Sequence, residues 1–596
     1  VYYRNFPVEK YDPFYDRDYN LCILCGRCIR VCNDIRLNGT LSFKQRGQQT
    51  TIGPAFDRTH LEGGCEFCGA CVNVCPTGTL SVKTGKWYGK PDKEKETVCN
   101  FCSIGCKLVI QAKNDSIVDS LPDYDSPLDK GLICVKGRFC ITEYVHSPIR
   151  YGTPMEMTPV GYNNITWERA IEMAAEKIKG VKPDEILMII SAQLLNEDIY
   201  CAQKFIRDII GSQHIVPAPL LYLNNDFPTY WNLCVASRPL NTIEEAEFIF
   251  TIGFDSTYGY SPIGIRVKEA AKKGTYLVTL RDRESNLDLW ANSSFQIEKK
   301  TWYDVIEMLT SSDGAKEKHG AVKKTLKEKV QHFDLDLDGI KRSLSKAKDR
   351  LIILGQEILN HPERSRLFEK LEEVIQKGAW KIIVASPFTN LKGTVMLGGL
   401  PHVMPGDILK GRVAEKVKTV KASILNFDLN KKRRLIYIIG DAPHIKLPEC
   451  DFLIYQNAIP ASFEKRPDLI LPSALFPETE GTFINTEDSV LRVKKVIEPH
   501  MESKPDWWII GAIGERLKKG RFKCKDIPSI HGEIKKVIKG FPKIKDRLEF
   551  LMISTMGSKK TGRFIPVPEA KRAVFRGIAL SDVVSGMKVI ERSTDE

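Results

Sequence analysis

Short apolar runs alternate with amphipathic segments through the middle of the chain. The runs DEILMIIS (184–191) and AEFIFTIG (246–253) are typical of buried strands, because β-branched and other apolar residues fill them. The segment ITWERAIEMAAEKIKG (165–180) has apolar residues at helical spacing, which predicts an amphipathic helix with Thr166 as its N-cap. Similar segments follow as far as RLIYIIGDAP (434–443). The alternation predicts a doubly wound α/β layer of parallel strands.

The two ends of the chain lack this alternation. Residues 1–20 indicate an irregular lead-in, and the Thr-rich segment 40–56 predicts one or two short strands with a turn at Gly47. Residues 89–96 (GKPDKEKE) indicate a charged linker. Near the carboxyl end, residues 514–540 predict a basic helix pair. We expect the last segment, 568–596, to be a docking arm or partly disordered.

Length and composition set outer limits on the protein. A chain of 596 residues is too long for one core and predicts three to five domains. No apolar run reaches the roughly 18–20 residues of a membrane span, and the first residues do not resemble a signal peptide. The missing initiator Met is consistent with a processed or truncated amino terminus. The net charge of +13 comes without a nucleic-acid motif, so we expect a solvated surface and no nucleic-acid partner.

The cysteines carry the strongest chemical signal. Twelve of the 17 cysteines lie between residues 22 and 134, in three groups of four. The first two groups share the spacing C-x2-C-x2-C-x3-C, which is the pattern of bacterial ferredoxins with two [4Fe–4S] clusters. In that pattern the fourth cysteine of each run binds the other cluster. We therefore predict one ligand set of Cys22, Cys25, Cys28 and Cys75, and a second of Cys65, Cys68, Cys71 and Cys32.

Two structural zinc sites are the alternative for these runs. Zinc sites usually take two spaced pairs of ligands, whereas both runs here have four cysteines at one identical spacing. The cysteines stand at metal-ligand spacing rather than as a disulfide framework, which indicates a reducing compartment, the cytoplasm.

The third group has the spacing C-x2-C-x3-C-x27-C and ends in CVKGRF. It resembles the amino-terminal [4Fe–4S] domain of the molybdopterin oxidoreductases, which include formate dehydrogenases and the large iron–sulfur subunit of NADH dehydrogenases. The resemblance implies that Cys99, Cys102, Cys106 and Cys134 bind a third [4Fe–4S] cluster. It also places Lys136 between that cluster and a pterin, as a relay. A simpler role for Lys136 is to offset the negative charge of the cluster.

The resemblance extends from about residue 20 to residue 515 and implies the fold and domains. We expect an α/β protein in which a ferredoxin-like module with two [4Fe–4S] clusters (1–92) precedes a small [4Fe–4S] domain (93–150). Doubly wound α/β domains of the molybdopterin oxidoreductase type follow (151–515), then a basic carboxyl-terminal extension (516–596). We expect no carboxyl-terminal barrel, because only 88 residues follow Trp508.

The expected pterin site is altered in this sequence. Formate dehydrogenases have a Cys or selenocysteine metal ligand followed by His, and the matching position falls near Tyr222 and Leu223, which we call the ligand slot. Neither residue offers the soft thiolate that molybdenum or tungsten would take. The turn 253–262 also departs from the family pattern, and Asp282 and Arg283 remain candidates for a nucleotide contact. We therefore expect no molybdopterin and no catalytic residue on this chain.

These observations predict an iron–sulfur electron-transfer subunit of a larger flavin-dependent and NAD(P)H-dependent oxidoreductase, with electron bifurcation left open. The resemblance implies three partners: an FMN-containing subunit that binds NAD(P)H, a thioredoxin-like [2Fe–2S] subunit, and ferredoxin or another redox subunit. The first rival is a catalytic formate dehydrogenase subunit with molybdenum or tungsten and two pyranopterins. The second rival is a non-redox scaffold that binds zinc.

Overall fold

The structure is a computed structural model that describes most of the chain. It covers residues 4–311, 336–409, 428, 431–442, 447–461, 463–518, 520, 522, 524–538, 541 and 580–595. Residues 568–579, the first part of the predicted docking arm, lie outside the described residues.

The amino-terminal module consists of short elements around the two cysteine runs. Its strands are β1 (Tyr15–Arg17), β2 (Ser42–Lys44), β3 (Thr51–Gly53) and β4 (Leu80–Val82). Strand β1 pairs antiparallel with β4, and β2 with β3, as the pattern of 40–56 predicts. The helices α1 (Arg27–Arg30) and α2 (Ala70–Asn73) each begin inside a cysteine run, and a π-helical turn (Val31–Ile35) follows α1. The description of residues 1–20 as irregular is wrong at β1, because a pairing to a strand some 65 residues later leaves no local pattern.

A three-stranded antiparallel sheet follows. Its strands are β5 (Lys93–Val98), β6 (Lys107–Lys113) and β7 (Ser116–Pro122), in the order β5-β6-β7. The prediction of a linker at 89–96 is wrong for residues 93–96, which form exposed edge strand and take their hydrogen bonds from β6. A π-helical turn (Lys136–Cys140) and α3 (Ile141–Val145) lead to the large domain.

Two mostly parallel sheets form the body. The remaining strands are β8 (Met155–Thr158), β9 (Gly161–Asn164), β10 (Ile186–Ile190), β11 (Ile215–Pro217), β12 (Phe248–Ile252), β13 (Tyr276–Arg281), β14 (Ser293–Gln296), β15 (Arg350–Leu354), β16 (Lys381–Val384), β17 (Arg433–Ile439), β18 (Cys450–Gln456), β19 (Leu469–Leu471), β20 (Gly481–Ile484) and β21 (Val490–Val493). One sheet has the order β11-β10-β17-β18-β19-β8-β9, and the other β14-β13-β12-β15-β16. Strands β20 and β21 form a hairpin. None of the sheets that the described residues form closes into a barrel.

Helices cover these sheets. They are α4 (Trp167–Lys179), α5 (Asn196–Lys204), α6 (Ala218–Leu223), α7 (Phe227–Val235), α8 (Thr242–Glu245), α9 (Ser261–Lys272), α10 (Trp302–Thr310), α11 (Leu337–Lys346), α12 (Arg364–Gln376), α13 (Leu391–Met396), α14 (Asp506–Leu517), α15 (Ile527–Val537), α16 (Leu580–Val583) and α17 (Ser585–Asp595). Helix α4 matches its prediction, since Thr166 caps it by accepting from the Arg169 N–H. The α/β fold class predicted from the sequence is therefore confirmed.

The five-stranded sheet lies between two hydrophobic cores. Phe248 and Phe250 on β12 belong to the core of the body, whereas Ile249 belongs to a core shared with the cysteine-bearing domains. The chain runs from β12 to β13 and β14 on one side and returns to β15 on the other. The carboxyl end of β12 is therefore the switch point where such sheets bind ligands.

The carboxyl-terminal elements pack on the body and on the cysteine-bearing domains. The predicted helix pair of 514–540 corresponds to the end of α14 and to α15, which buries Ile530 and Ile534. Further on, Val584 is buried in the core shared with the cysteine-bearing domains, and the Ser585 N–H donates to Glu143 at 2.8 Å. The domain boundaries stay predictions. Within the described residues, no helix has the length and apolarity to cross a bilayer.

Candidate metal centres

The first predicted ligand set lines one cavity. Cys22, Cys25, Cys28 and Cys75 all line this cavity, together with Cys71. Gly26, at φ +69°, turns the chain between Cys25 and α1, a conformation that a residue with a Cβ adopts only with strain. The two cysteine runs thus meet here in the combination that the predicted pairing needs, while the ligand assignment stays a prediction.

Burial and neighbouring thiols both act on the acidity of this set. Burial raises the pKa of Cys28 to about 11, and the Cys22 and Cys25 thiols add to the increase. Burial also raises the pKa of Cys75, but backbone N–H groups at Leu80 and Thr77 outweigh it, together with nearby hydroxyls, so that the pKa is lowered. Thiols with raised pKa values keep their protons at neutral pH, so cluster binding must release protons.

The second set lies directly behind the first. Cys71 lines the first cavity, yet its pKa is raised well above the usual value by burial and then by Cys68, Cys65 and Cys32. Burial, Cys68 and Cys32 also raise the pKa of Cys65. Cys32 is carried on the π-helical turn of the first run, and is buried. The structure therefore brings the three thiols of the second run together with the fourth thiol of the first.

The third set lines a cavity between the small sheet and the body. Cys99, Cys102, Cys106 and Cys134 all line this cavity. Cys99 follows β5, and its N–H donates to the Cys106 carbonyl at 2.8 Å, which closes the loop that carries three of the thiols. Burial raises the pKa of Cys106 well above its usual value, and the Asp129 carboxyl and the other three thiols of the set add to it.

Lys136 connects the third cavity to the turn after β12. Its side chain lines the cavity together with Gly259, Tyr260 and Pro262 of that turn. A Cβ added at Gly259 would lie 3.7 Å from the Lys136 Nζ, so the chain passes close to the ammonium group. The position fits both roles considered for Lys136, which stays a prediction as a cofactor-binding residue.

A single zinc ion needs its thiolates closer together than a cluster does. Four thiolates bound to one zinc ion at about 2.3 Å would lie about 3.8 Å apart. A [4Fe–4S] cube binds each thiolate to a different iron, so its thiolates stand farther apart. Within the described residues, no three His, Cys, Asp or Glu side chains are close enough to hold one metal ion.

Exposure falls from the first set to the third. Cys25 is exposed, whereas the other cysteines are buried or half-buried. The apolar side chains of Ile23 and Ile35 are 65% and 54% exposed near the first cavity. Cys99 and Cys106 are buried in the core that the body shares with the cysteine-bearing domains. The first set is therefore the one that reaches the surface.

The ligand slot of the body is filled by its own side chains. Tyr222 is 4% exposed, and its hydroxyl donates to the Leu359 carbonyl at 2.9 Å. The Arg364 guanidinium stands over the ring, 5.2 Å from its centroid, and donates to the Tyr222 carbonyl at 3.0 Å. Leu223 is fully buried. These residues offer no thiolate and do not fit a molybdenum or tungsten centre at this position.

Other candidates of the body have structural partners. Asp282 lies 3.6 Å from the Lys299 Nζ, and Arg283 donates to Glu357 at 2.7 Å. Arg281, which the sequence did not single out, is 2% exposed and pairs with Asp255 and Glu357. These contacts account for the charged residues after β13 without a nucleotide.

Sequence reasoning missed two buried arginines near the cysteines. Arg36 donates to Ser261 at 2.6 Å, and Arg138 donates to Asn73 at 2.9 Å. Arg138 stands in the CVKGRF segment, so its position next to Lys136 was a usable signal. Arg36 follows the first cysteine run by four residues, and nothing in the local pattern marks it.

Three families match consecutive parts of the chain. The family described as Molybdopterin oxidoreductase matches residues 152–516, and the Molybdopterin oxidoreductase Fe4S4 domain matches residues 92–147. The 4Fe-4S dicluster domain matches residues 21–79. The matches support iron–sulfur clusters in the first 150 residues.

Curated relatives match nearly the whole chain. An NADPH-Fe(3+) oxidoreductase subunit alpha of Geobacter sulfurreducens is 26% identical over 85% of this chain and 66% of the relative. The oxidoreductase YjgC of Bacillus subtilis, whose name gives this activity as probable, is 23% identical over 87% and 62%. A Staphylococcus aureus protein named only provisionally as a formate dehydrogenase is 24% identical over 86% and 62%. The chain spans less than two thirds of the length of each of these relatives.

One solved structure aligns with much of the chain. Acetylene hydratase from Pelobacter acetylenicus aligns over 71% of this chain and 69% of its own, with a TM-score of 0.48 and 13% identity. Similarity at that level carries no inference about activity.

Proposed function

The chain belongs to the molybdopterin oxidoreductase family, and we propose that it serves there as an electron-transfer subunit rather than as a pterin-dependent catalyst. The observation that carries the proposal is a contrast. Three sets of four cysteines surround or approach cavities, whereas Tyr222 and Leu223 fill the slot of the expected metal ligand. Three [4Fe–4S] clusters and no molybdopterin are therefore proposed.

The three sets form one continuous route. Cys71 lines the cavity of the first set, and the thiols of Cys68, Cys65 and Cys32 in the second set raise its pKa, so these two sets are adjacent. Cys68 of the second set and Cys134 of the third both act on the pKa of Arg36, which lies between them and is raised overall although burial lowers it. When bound, the clusters supply one-electron transfer. The chain holds the thiols of each set near one another, and each of the inner two sets includes at least one buried cysteine.

The first set is the proposed point of exchange with a partner. Cys25 is exposed, and Ile23 and Ile35 offer apolar surface at 65% and 54% exposure. Arg27 and Arg30 are exposed on α1. Such a surface suits a redox partner with an acidic rim.

The proposed partners follow from the family and from one relative. The Geobacter sulfurreducens protein is named as the alpha subunit of an NADPH-Fe(3+) oxidoreductase. We propose by analogy that this chain works with a flavin-containing NAD(P)H-binding subunit and a thioredoxin-like [2Fe–2S] subunit. Ferredoxin or another redox subunit would be the second exchange partner, and bifurcation stays open.

The test compares the isolated chain with the native complex under anaerobic conditions. NAD(P)H should bleach the visible cluster absorbance in the complex, and the isolated chain should stay oxidised until dithionite is added. Identification of flavin and subunits in the same complex names the partner. Bleaching of the isolated chain by NAD(P)H or by formate would contradict the proposal.

The second candidate is a catalytic formate dehydrogenase subunit. It is favoured by Lys136, which lies between the third cavity and Gly259, and by relatives named provisionally as formate dehydrogenases. The filled ligand slot opposes it. Formate-dependent reduction of an artificial acceptor, lost on Lys136→Ala, would establish this candidate.

A further inference from the structure

Arg36 spans the space between the second and third sets of thiols. It follows the π-helical turn that carries Cys32 and is 2% exposed. Its Nη2 donates to the Ser261 hydroxyl at 2.6 Å and lies 3.5 Å from the Glu66 carboxylate. Glu66 belongs to the second cysteine run, and Ser261 begins α9 next to Tyr260, which lines the third cavity. Arg36 therefore touches segments of both sets.

Arg138 makes the same connection from the opposite side. It stands on the π-helical turn after Cys134 and is also 2% exposed. Its Nη2 donates to Asn73 of the second run at 2.9 Å. A Cβ added at Gly69 would lie 2.7 Å from the Arg138 Cγ and 2.9 Å from its Nε. The guanidinium thus packs on the backbone directly after Cys68.

Both arginines have one buried donor without a partner. The Nε–H group of each has no hydrogen-bond partner within the described part of the chain, and the Nε groups of Arg150 and Arg266 are in the same state. A buried donor without an acceptor costs about 1–3 kcal/mol, so native structures rarely leave one unpaired. Gly69 brings one Nε next to the second thiol set, and Arg36 is close enough to Cys68 and Cys134 for both thiols to act on its pKa. Their contacts with residues of the second cysteine run set these two arginines apart from Arg150 and Arg266, whose contacts lie elsewhere.

We propose that Arg36 and Arg138 are positioning residues for the two inner clusters, each donating its Nε–H to a cluster or ligand sulfur. The positive charge of Arg36 would favour the reduced state of both clusters, since buried charges are weakly screened, whereas the charge of Arg138 is paired with the Asp119 carboxylate. Arg36, Glu66 and Lys268 together carry one net positive charge, because the single Glu66 carboxylate pairs with both basic side chains, with Lys268 at 2.6 Å. The inference rests on the cluster assignment of the proposed function.

The test is a redox titration of the cluster-loaded full chain, followed by EPR. Arg36→Gln and Arg138→Gln each remove one charge and the guanidinium, and Arg433→Gln is the matched control. Arg433 is likewise 2% exposed, but it donates to the Asp184 carbonyl at 3.0 Å, and the charged groups that act on its pKa are aspartates. Iron content of each protein is measured first.

We expect each of the two variants to lower the midpoint potentials of two of the three clusters. The ratio of reduced to oxidised cluster should fall about tenfold at a given potential, which is about 59 mV for a one-electron couple. The midpoint potential of the remaining cluster, assigned to the exposed first set, should stay unchanged. All potentials of the Arg433→Gln variant should also stay unchanged. Fully loaded variants with wild-type potentials would overturn the inference.

A second measurement uses the wild-type protein, so it does not depend on variants that fail to bind their clusters. Protein grown with arginine labelled by ¹⁵N in the guanidino group should show ¹⁵N hyperfine coupling to a reduced inner cluster. Arg36→Lys, which keeps the charge, should lose part of that coupling at near wild-type potential. Absence of any coupling would overturn the inference, whereas an unaltered protein without about twelve irons would instead refute the cluster assignment and the proposed function.

Discussion

The cysteine-bearing domains and the ligand slot of the body differ in how their side chains are paired. The cysteines of the first and third sets line cavities, and buried donors such as the Arg36 and Arg138 Nε groups lie near the cysteines without protein acceptors. Around Tyr222 the hydroxyl, the ring and the backbone carbonyl all have protein partners. The slot is therefore closed by protein contacts, whereas the cysteines line cavities.

This difference distinguishes the fold that the chain shares with its family from the function that we propose for it. The body keeps the two sheets and buries most of their strand residues, but its slot contributes only packing. The cysteine-bearing domains bury groups that are costly to bury alone, including thiols whose pKa values are raised by burial. Such a cost is offset when thiolates bind metal.

The largest expected effect comes from removing one ligand of the third set. Cys106→Ala should lower the iron content by about four atoms per chain and abolish one EPR signal, because a cube needs its four thiolates. Cys234→Ala is the control, since Cys234 is buried in α7 outside the three sets. Equal iron content in the two variants would show that the third cavity binds no cluster.

The next largest effect is expected at the contact between the cysteine-bearing domains and the body. Arg150 and Glu478 form a buried two-point ion pair, with both N–O distances at 2.7 Å. Glu478→Ala should lower the free energy of unfolding by about 3–5 kcal/mol, because the Arg150 charge stays buried without its partner. Lys377→Ala, which removes an exposed pair with Glu373, should cost at most about 0.5 kcal/mol in the same thermal scans. Similar losses for both would contradict the buried joint.

A smaller effect is expected inside the filled slot. Tyr222→Phe removes the hydroxyl that donates to Leu359 and should cost about 1–2 kcal/mol of stability. Cluster content and electron-transfer rate should stay unchanged. Tyr88→Phe, at a residue 52% exposed, is the control. A loss of electron transfer in Tyr222→Phe would mean that the slot still takes part in the chemistry.

The smallest effect is a pH dependence within the body. Burial raises the pKa of Asp506 to about 6, although Ser473 and Gln456 donate to its carboxylate and lower the pKa. A carboxyl with a raised folded pKa contributes fully below about pH 4, and that contribution is lost as the pH rises through 6. Asp506→Asn cannot titrate, so it should gain about 1 kcal/mol relative to wild type between pH 5 and pH 7.5. Stability curves of wild type and Asp506→Asn that run parallel from pH 5 to pH 7.5 would refute the assignment.

The local sequence pattern was enough to predict the elements whose residues follow a regular spacing. The spacing of apolar residues predicts α4 and strands such as β10 and β12, and the fixed cysteine spacing predicts which thiols share the first cavity. The exposed strand at 93–96 and the short β1 were missed, because their stability comes from partners distant in sequence. The same reason hides Arg36, whose partner Ser261 is 225 residues away.

Metal analysis of the purified native protein tests the central claim most directly. The account predicts about twelve irons per chain, from three cubes of four, with molybdenum, tungsten and zinc far below one atom per chain. Stoichiometric molybdenum or tungsten would contradict it and restore the pterin site, and stoichiometric zinc with no iron would contradict the clusters themselves.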